Sequence, residues 1–149
     1  MWAFIPAVVF CALLAAAAYA DLTSLRIPNL VCLLLAVSGL VLNPPIAASG
    51  WTWRAASALV TLGATLPLYL RGGLGGGDLK LLLATACWIP FATLGAFVIP
   101  LGLAGGVQAL GVIAVRRVAG GAHEAKRRMP YAVSIAVAGG VWLALGGLR

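Results

Sequence analysis

Leu79-Lys-Leu-Leu-Leu-Ala-Thr-Ala-Cys-Trp-Ile-Pro-Phe91 opens a run that stays apolar to Val115 apart from Lys80 and Gln108. How residues 79–115 divide decides the fold, because a helix that crosses a bilayer needs only about 20 residues. A proline inside a helix removes a backbone hydrogen bond and clashes with the preceding turn. The run is therefore split near Ile89-Pro90-Phe91 into a short fourth helix and a longer fifth. With the split the chain has six helices. Without it the last helix would reverse, and the basic segment before it would change sides.

The other helices follow from similar breaks. The first runs from Trp2 to Ala20, and the polar stretch Asp21-Leu-Thr-Ser-Leu-Arg-Ile-Pro-Asn29 separates it from the second. Pro28 suits a first helical turn, so the second helix is expected from Pro28 to about Leu42, stopped by Asn43-Pro44-Pro45. The third covers about Trp53 to Leu70, before Arg71-Gly-Gly-Leu-Gly-Gly-Gly-Asp78. The sixth covers Pro130 to about Leu148. Ala18-Tyr19-Ala20 has the form of a signal-peptidase site, but no Lys or Arg precedes the apolar run, so the segment is kept as a helix.

Composition agrees with lipid as the solvent. Of 149 residues 63% belong to the AVILMFWYC set and 9% are charged, with a mean hydropathy of +1.09. A soluble domain carries about 25% charged residues. An ordinary soluble enzyme, a nucleic-acid-binding domain and a disordered chain are excluded, despite a pI near 10.2. The expected fold is an all-α polytopic membrane protein, with residues 1–149 forming one domain of six transmembrane helices. The net charge of +7 is unevenly placed. Six helices put Arg26, Arg71, Lys80, Arg116, Arg117, Lys126, Arg127 and Arg128 on one side, and only Arg54 and Arg149 on the other. Cytoplasmic loops are enriched in such residues, so both termini are expected on the non-cytoplasmic side. Tyr19, Tyr69 and Tyr131 then fall at the inner interface, and Trp2, Trp51, Trp53 and Trp88 at the outer.

Cys11, Cys32 and Cys87 lie in apolar runs without a CxxC pair and read as small buried hydrophobes. His123 is the single histidine, which leaves little for a metal site or a serine triad. Gly102-Leu-Ala-Gly-Gly106 contains a GxxxG pattern, read as internal helix packing in preference to a dimer interface.

Three acidic residues remain. Glu124 sits among basic neighbours and reads as a solvated charge. Asp21 directly follows the first helix and Asp78 opens the fourth, both at the cytoplasmic boundary. Ionisable groups at membrane depth are costly and point to function. An N-cap role for Asp78 and a turn role for Asp21 are the structural alternatives. Two carboxylates are also the minimum for acid–base hydrolysis: one takes a proton from water, the other serves the scissile carbonyl or the leaving group. At about 4 Å and an effective dielectric near 20, ionising both costs about 4 kcal/mol, so a close pair shares one proton. Helix dipoles then assign Asp78, at an amino end, as base and Asp21, at a carboxyl end, as acid. Gly75-Gly76-Gly77 lets another strand approach closely.

Gly75-Gly-Gly-Asp78, followed by Leu79-Lys80-Leu81, is a GxGD motif, and Asp21 stands six residues before Ile27-Pro28-Asn29. Together they resemble the prepilin peptidases, the type IV leader peptidase family of GxGD aspartic membrane proteases. The six helices, the short length and Met129-Pro130-Tyr131-Ala132 are similar to the small CpaA/TadV-like branch, which processes Flp-type pilins for tight-adherence pili. The resemblance implies Asp21 and Asp78 as the catalytic pair, Gly75 and Gly77 as shapers of the site, and family positions at Pro28, Asn29 and Lys80. It implies cleavage of a short basic leader from a prepilin on the cytoplasmic face of a bacterial inner membrane, with no cofactor and no metal. Larger relatives also methylate the new N-terminus and carry a four-cysteine zinc site; this chain has no CxxC. Alternatives are a preflagellin or signal-peptide-peptidase-like GxGD protease, a small proton- or cation-coupled transporter, and a membrane scaffold subunit.

Overall fold

The structure is a computed structural model and describes residues 4–44, 48–118 and 131–148. Expectations that rest on Trp2, His123, Glu124, Lys126, Arg127, Arg128, Met129, Pro130 or Arg149 lie outside the described residues. Within them the chain forms six helices: α1 Phe4–Ser24, α2 Asn29–Leu42, α3 Ala48–Leu70, α4 Gly76–Ala86, α5 Leu94–Val118 and α6 Tyr131–Ala144. A single 3₁₀ turn, Phe91–Thr93, leads into α5.

The long apolar run breaks where proline requires. The N–H groups of Cys87, Trp88 and Ile89 bond back to the carbonyls of Ala84, Thr85 and Ala86, tightening the end of α4, and Pro90 then starts the 3₁₀ turn. α4 has 11 residues, about 16 Å of helix, well short of a bilayer's hydrocarbon core. Among the described residues two segments are long and apolar enough to cross a membrane, Phe4–Ser24 and Phe91–Ala114; Asn29–Leu42 and Tyr131–Ala144 are shorter apolar helices.

Several boundaries move for identifiable reasons. α1 runs past Ala20 to Ser24, so Asp21 lies inside its last turn. Pro28 is the N-cap of α2 with ψ of 133°, its carbonyl accepting the Val31 and Cys32 N–H groups at 3.1 and 3.4 Å. α3 starts at Ala48, since no proline separates Ala48 from Trp53. α5 extends to Val118 and takes Arg116 and Arg117 into its last turn. α6 stops at Ala144 because Gly146 adopts φ of +88°, and Gly146 and Gly147 donate back to Leu143 and Trp142.

α4 is the centre of the bundle, packed against α2, α3 and α6, while α1 bridges α2 and α6, and α5 lies on α6. Phe10, Trp88 and Trp142, each 0% exposed, form an aromatic core with ring centroids 4.9 and 5.7 Å from Phe10. Trp88 follows the carboxyl end of α4, as expected, but does not face the interface: its indole is buried and donates to the Leu35 carbonyl at 2.7 Å. Trp51 and Trp53 are exposed. Cys32 is buried, but Cys11 is exposed, contrary to its reading as a buried hydrophobe. The GxxxG of α5 is not used in internal packing either. Among the described residues no atom comes within 4 Å of a methyl group placed at Gly102 or Gly106.

Arg54 is 6% exposed and sits in the second turn of α3. Its guanidinium donates to the carbonyls of Gly39 at 3.1 Å and Cys87 at 2.6 Å, and to that of Asn43. It thus satisfies carbonyls at the carboxyl ends of both α2 and α4. Arg54→Met keeps most of the apolar stem and removes every donor. We expect it to destabilise the protein by about 3 kcal/mol, since a buried acceptor left unpaired costs about 1–3 kcal/mol. Denaturation in detergent micelles would read this; unchanged stability would show that water replaces the guanidinium.

Candidate active site

At the end of the bundle opposite Arg54 the carboxyl ends of α1 and α3 meet the amino ends of α2, α4 and α6. α1 ends in an unusual way. Leu25 adopts φ of +51°, and its N–H bonds to the Asp21 carbonyl at 3.0 Å. This is a left-handed cap normally filled by glycine, and a non-glycine residue there costs about 1–2 kcal/mol. The cap turns the chain sharply toward α2 and fixes Asp21 one turn before the exit.

Asp21 is 5% exposed. Its Oδ2 accepts the backbone N–H of Ala132 at 3.1 Å. Ala132 lies in the first turn of α6, whose N–H groups lack partners inside the helix. The carboxylate therefore faces the positive end of α6, although its backbone lies at the negative end of α1. Both aspartates thus stand at helix amino ends, and the dipole difference that separated base from acid on sequence grounds is cancelled.

Asp78 is 7% exposed and is the third residue of α4, not its N-cap. Gly75 is the cap, and its N–H donates to Asp78 Oδ2 at 3.3 Å, half of a capping box. A Cβ at Gly75 would lie 2.7 Å from that oxygen, so any side chain there would push the carboxylate aside. A Cβ at Gly77 would meet Ile27 at 3.4 Å, an ordinary contact. The glycine-rich stretch thus divides by task. Gly72, at φ of +75°, stops α3, with Gly72 and Gly73 donating to Tyr69 and Leu68; Gly75 caps α4 and Gly77 lies against Ile27.

A cavity of about 390 Å³ has both aspartates in its walls, together with Asn29, Gly75, Gly77 and Lys80. Lys80 Nζ donates to Asn29 Oδ1 at 3.1 Å and ties α4 to α2. Of the residues singled out by sequence, Pro28 alone does not line this cavity; it caps α2 beside it. Leu25, Arg26, Ile27 and Gly76 line it as well and were not singled out. Arg26 had a topological reading only. Ile27 belongs to the Ile-Pro-Asn element, which is the one signal that pointed to it. Ala132 stood out only as the end of Met129-Pro130-Tyr131-Ala132; the role of its N–H, a backbone group, left no signal. Two carboxylates on one polar cavity equip it to activate water and to protonate a carbonyl oxygen or an amine.

No curated protein and no solved structure matches the chain. The type IV leader peptidase family matches it over residues 8–143, a span that contains every residue of the cavity described above. That match covers most of the chain, which belongs to the type IV leader peptidase family.

Proposed function

We propose that this leader peptidase is an aspartic enzyme in which Asp21 and Asp78 cleave Flp-like prepilins at the cytoplasmic face of the bacterial inner membrane. One observation carries the reading: carboxylates separated by most of the first half of the chain line a single cavity. The pair holds one proton between its members. The ionised carboxylate takes a proton from water as the water oxygen attacks the scissile carbonyl, whose oxygen receives the proton of the other carboxyl. Collapse of the tetrahedral carbon breaks the C–N bond; the leaving amine takes the proton first removed from water, and one hydroxyl returns its proton to the carboxylate that had donated it as C=O re-forms.

Residues 1–149 are read as one six-helix membrane domain with both termini non-cytoplasmic. The placement of cations supports that orientation. Arg26 and Lys80 line the cavity and Arg71 follows α3 at the same end, whereas Arg54 lies at the other. The prepilin reading rests on the resemblance at Gly75–Asp78 and Ile27–Asn29, and its Flp-like refinement on the six helices, the short length and Met129-Pro130-Tyr131-Ala132. The substrate presents a basic leader, a glycine and an apolar helix, in that order.

The test is co-expression with a prepilin of that design and mass spectrometry of the product. The new N-terminus should follow the glycine and leave the apolar helix whole. A cut inside the apolar helix would favour a signal-peptide-peptidase-like enzyme. An intact precursor, with proton flux in vesicles holding the purified protein, would favour a transporter.

A further inference from the structure

A second concavity, of about 690 Å³, runs along the outer faces of α2 and α4. Its floor is made of small side chains, Cys32, Ala36 and Ala84, and Leu33 and Leu83 stand as its walls. Small residues between taller ones let another helix come close, which is how helices associate where lipid removes the hydrophobic drive. At one end this groove shares Asn29 and Lys80 with the aspartate cavity, and at the other it reaches Cys87. From Lys80 to Cys87 is about 10 Å along α4, or two helical turns. The 3.1 Å bond from Lys80 to Asn29 forms a polar sill between the two spaces.

The geometry points to this groove as the seat of the substrate's apolar helix during cleavage, with the Lys80–Asn29 pair at the crossing into the cavity. This rests on the leader-peptidase reading above. Such a substrate needs two adjoining environments, a polar one for the peptide bond under attack and an apolar one for the helix that begins just after it. The α2–α4 groove supplies the second beside the first. Lys80 lies two residues beyond Asp78, about 3 Å along the helix axis, so a chain leaving the carboxylate enters the groove at once. A large apolar groove elsewhere on the bundle does not serve. It lies between α5 and α6, is lined by Pro100, Leu103, Val107 and Val137, and shares no residue with the aspartate cavity.

The test places a benzophenone amino acid at Leu33, and separately at Leu103, in full-length protein that also carries Asp78→Asn to hold the precursor uncut. Irradiation in membranes with co-expressed prepilin should give a prepilin adduct from position 33 and none from position 103. An adduct from 103 alone, a dimer of the peptidase from 33, or no protein adduct from 33 (lipid filling the groove) would each overturn the assignment. A second variant, Ala36→Phe, fills the floor. It should slow cleavage of membrane-anchored prepilin at least about tenfold through KM, while a soluble leader peptide lacking the apolar helix is cut as by wild type. Equal loss on both substrates would overturn the assignment. Wild type is run in the same assay. If it cuts no prepilin, the leader-peptidase reading itself fails; if it cuts while the adducts fall elsewhere, only the groove does.

Discussion

Asp21→Asn and Asp78→Asn are each expected to leave a co-expressed prepilin uncut while accumulating in the membrane as wild type does. Asparagine reproduces the shape of aspartate and keeps an oxygen acceptor. In Asp21→Asn the amide oxygen still accepts the Ala132 N–H, and in Asp78→Asn it still accepts that of Gly75, so both anchoring bonds of the site survive. Only proton exchange is lost. Positioned acid–base groups contribute about 10²–10⁴-fold to rate, and each variant removes one of the two partners. The loss should therefore exceed about 100-fold in either case, and the double variant should lose little more, because the two act as a unit. Asp→Glu at either position restores the proton but lengthens the side chain by one methylene. In a cavity of about 390 Å³ that shift moves the carboxylate off its anchoring N–H. Displacements near 1 Å cost about 100-fold, so Glu should rescue poorly. Gel shift of the precursor reads all of these. Either Asn variant cutting at the wild-type rate would refute the dyad.

Signals local in sequence were legible, and those that depend on distant partners were not. The break at Ile89–Phe91 could be read from Pro90 together with the length of the run, since Pro100 in the same run stays inside α5, and the helix order follows from it. Asp21 and Asp78 stood out because the chain has so few acids, and both line the cavity. The position of Asp21 relative to its helix was misread because the residue that ends α1 is Leu25, where a glycine would have announced the stop. The donor to Asp21 was invisible for another reason. It is a backbone N–H 111 residues away, contributed by an alanine, and no side-chain pattern encodes it. Arg54 shows the same limit. Counted as a cation of the non-cytoplasmic side it argued about topology; in the fold it binds the carboxyl ends of α2 and α4, a role fixed by packing. Trp88 likewise carried an interfacial side chain by type and a core position by contact.

Gly75→Ala should cost about 100-fold in cleavage with little loss of stability, and Gly77→Ala should cost almost nothing. The two glycines are two residues apart in one motif, yet the structure separates them. Gly75 has φ of −75° and ψ of 149°, an extended conformation that alanine adopts freely, so the backbone registers no strain. The added methyl, however, lies 2.7 Å from Asp78 Oδ2, and the carboxylate must swing away from its place over the cavity. A reacting group displaced by about 1 Å loses about 100-fold in rate. At Gly77 the methyl meets Ile27 at 3.4 Å, which packing tolerates. Gly77 is also helical, where alanine gains about 0.5–1 kcal/mol over glycine. Gly72→Ala completes the set. At φ of +75° with open space around it, it should lower stability by about 1 kcal/mol and leave the rate per folded molecule unchanged. Cleavage rates beside thermal melts of the purified variants separate the three outcomes. If Gly75→Ala cleaved at the wild-type rate, the Asp78 position held by the Gly75 N–H would not be the one that reacts, and the carboxylate would have to move before catalysis.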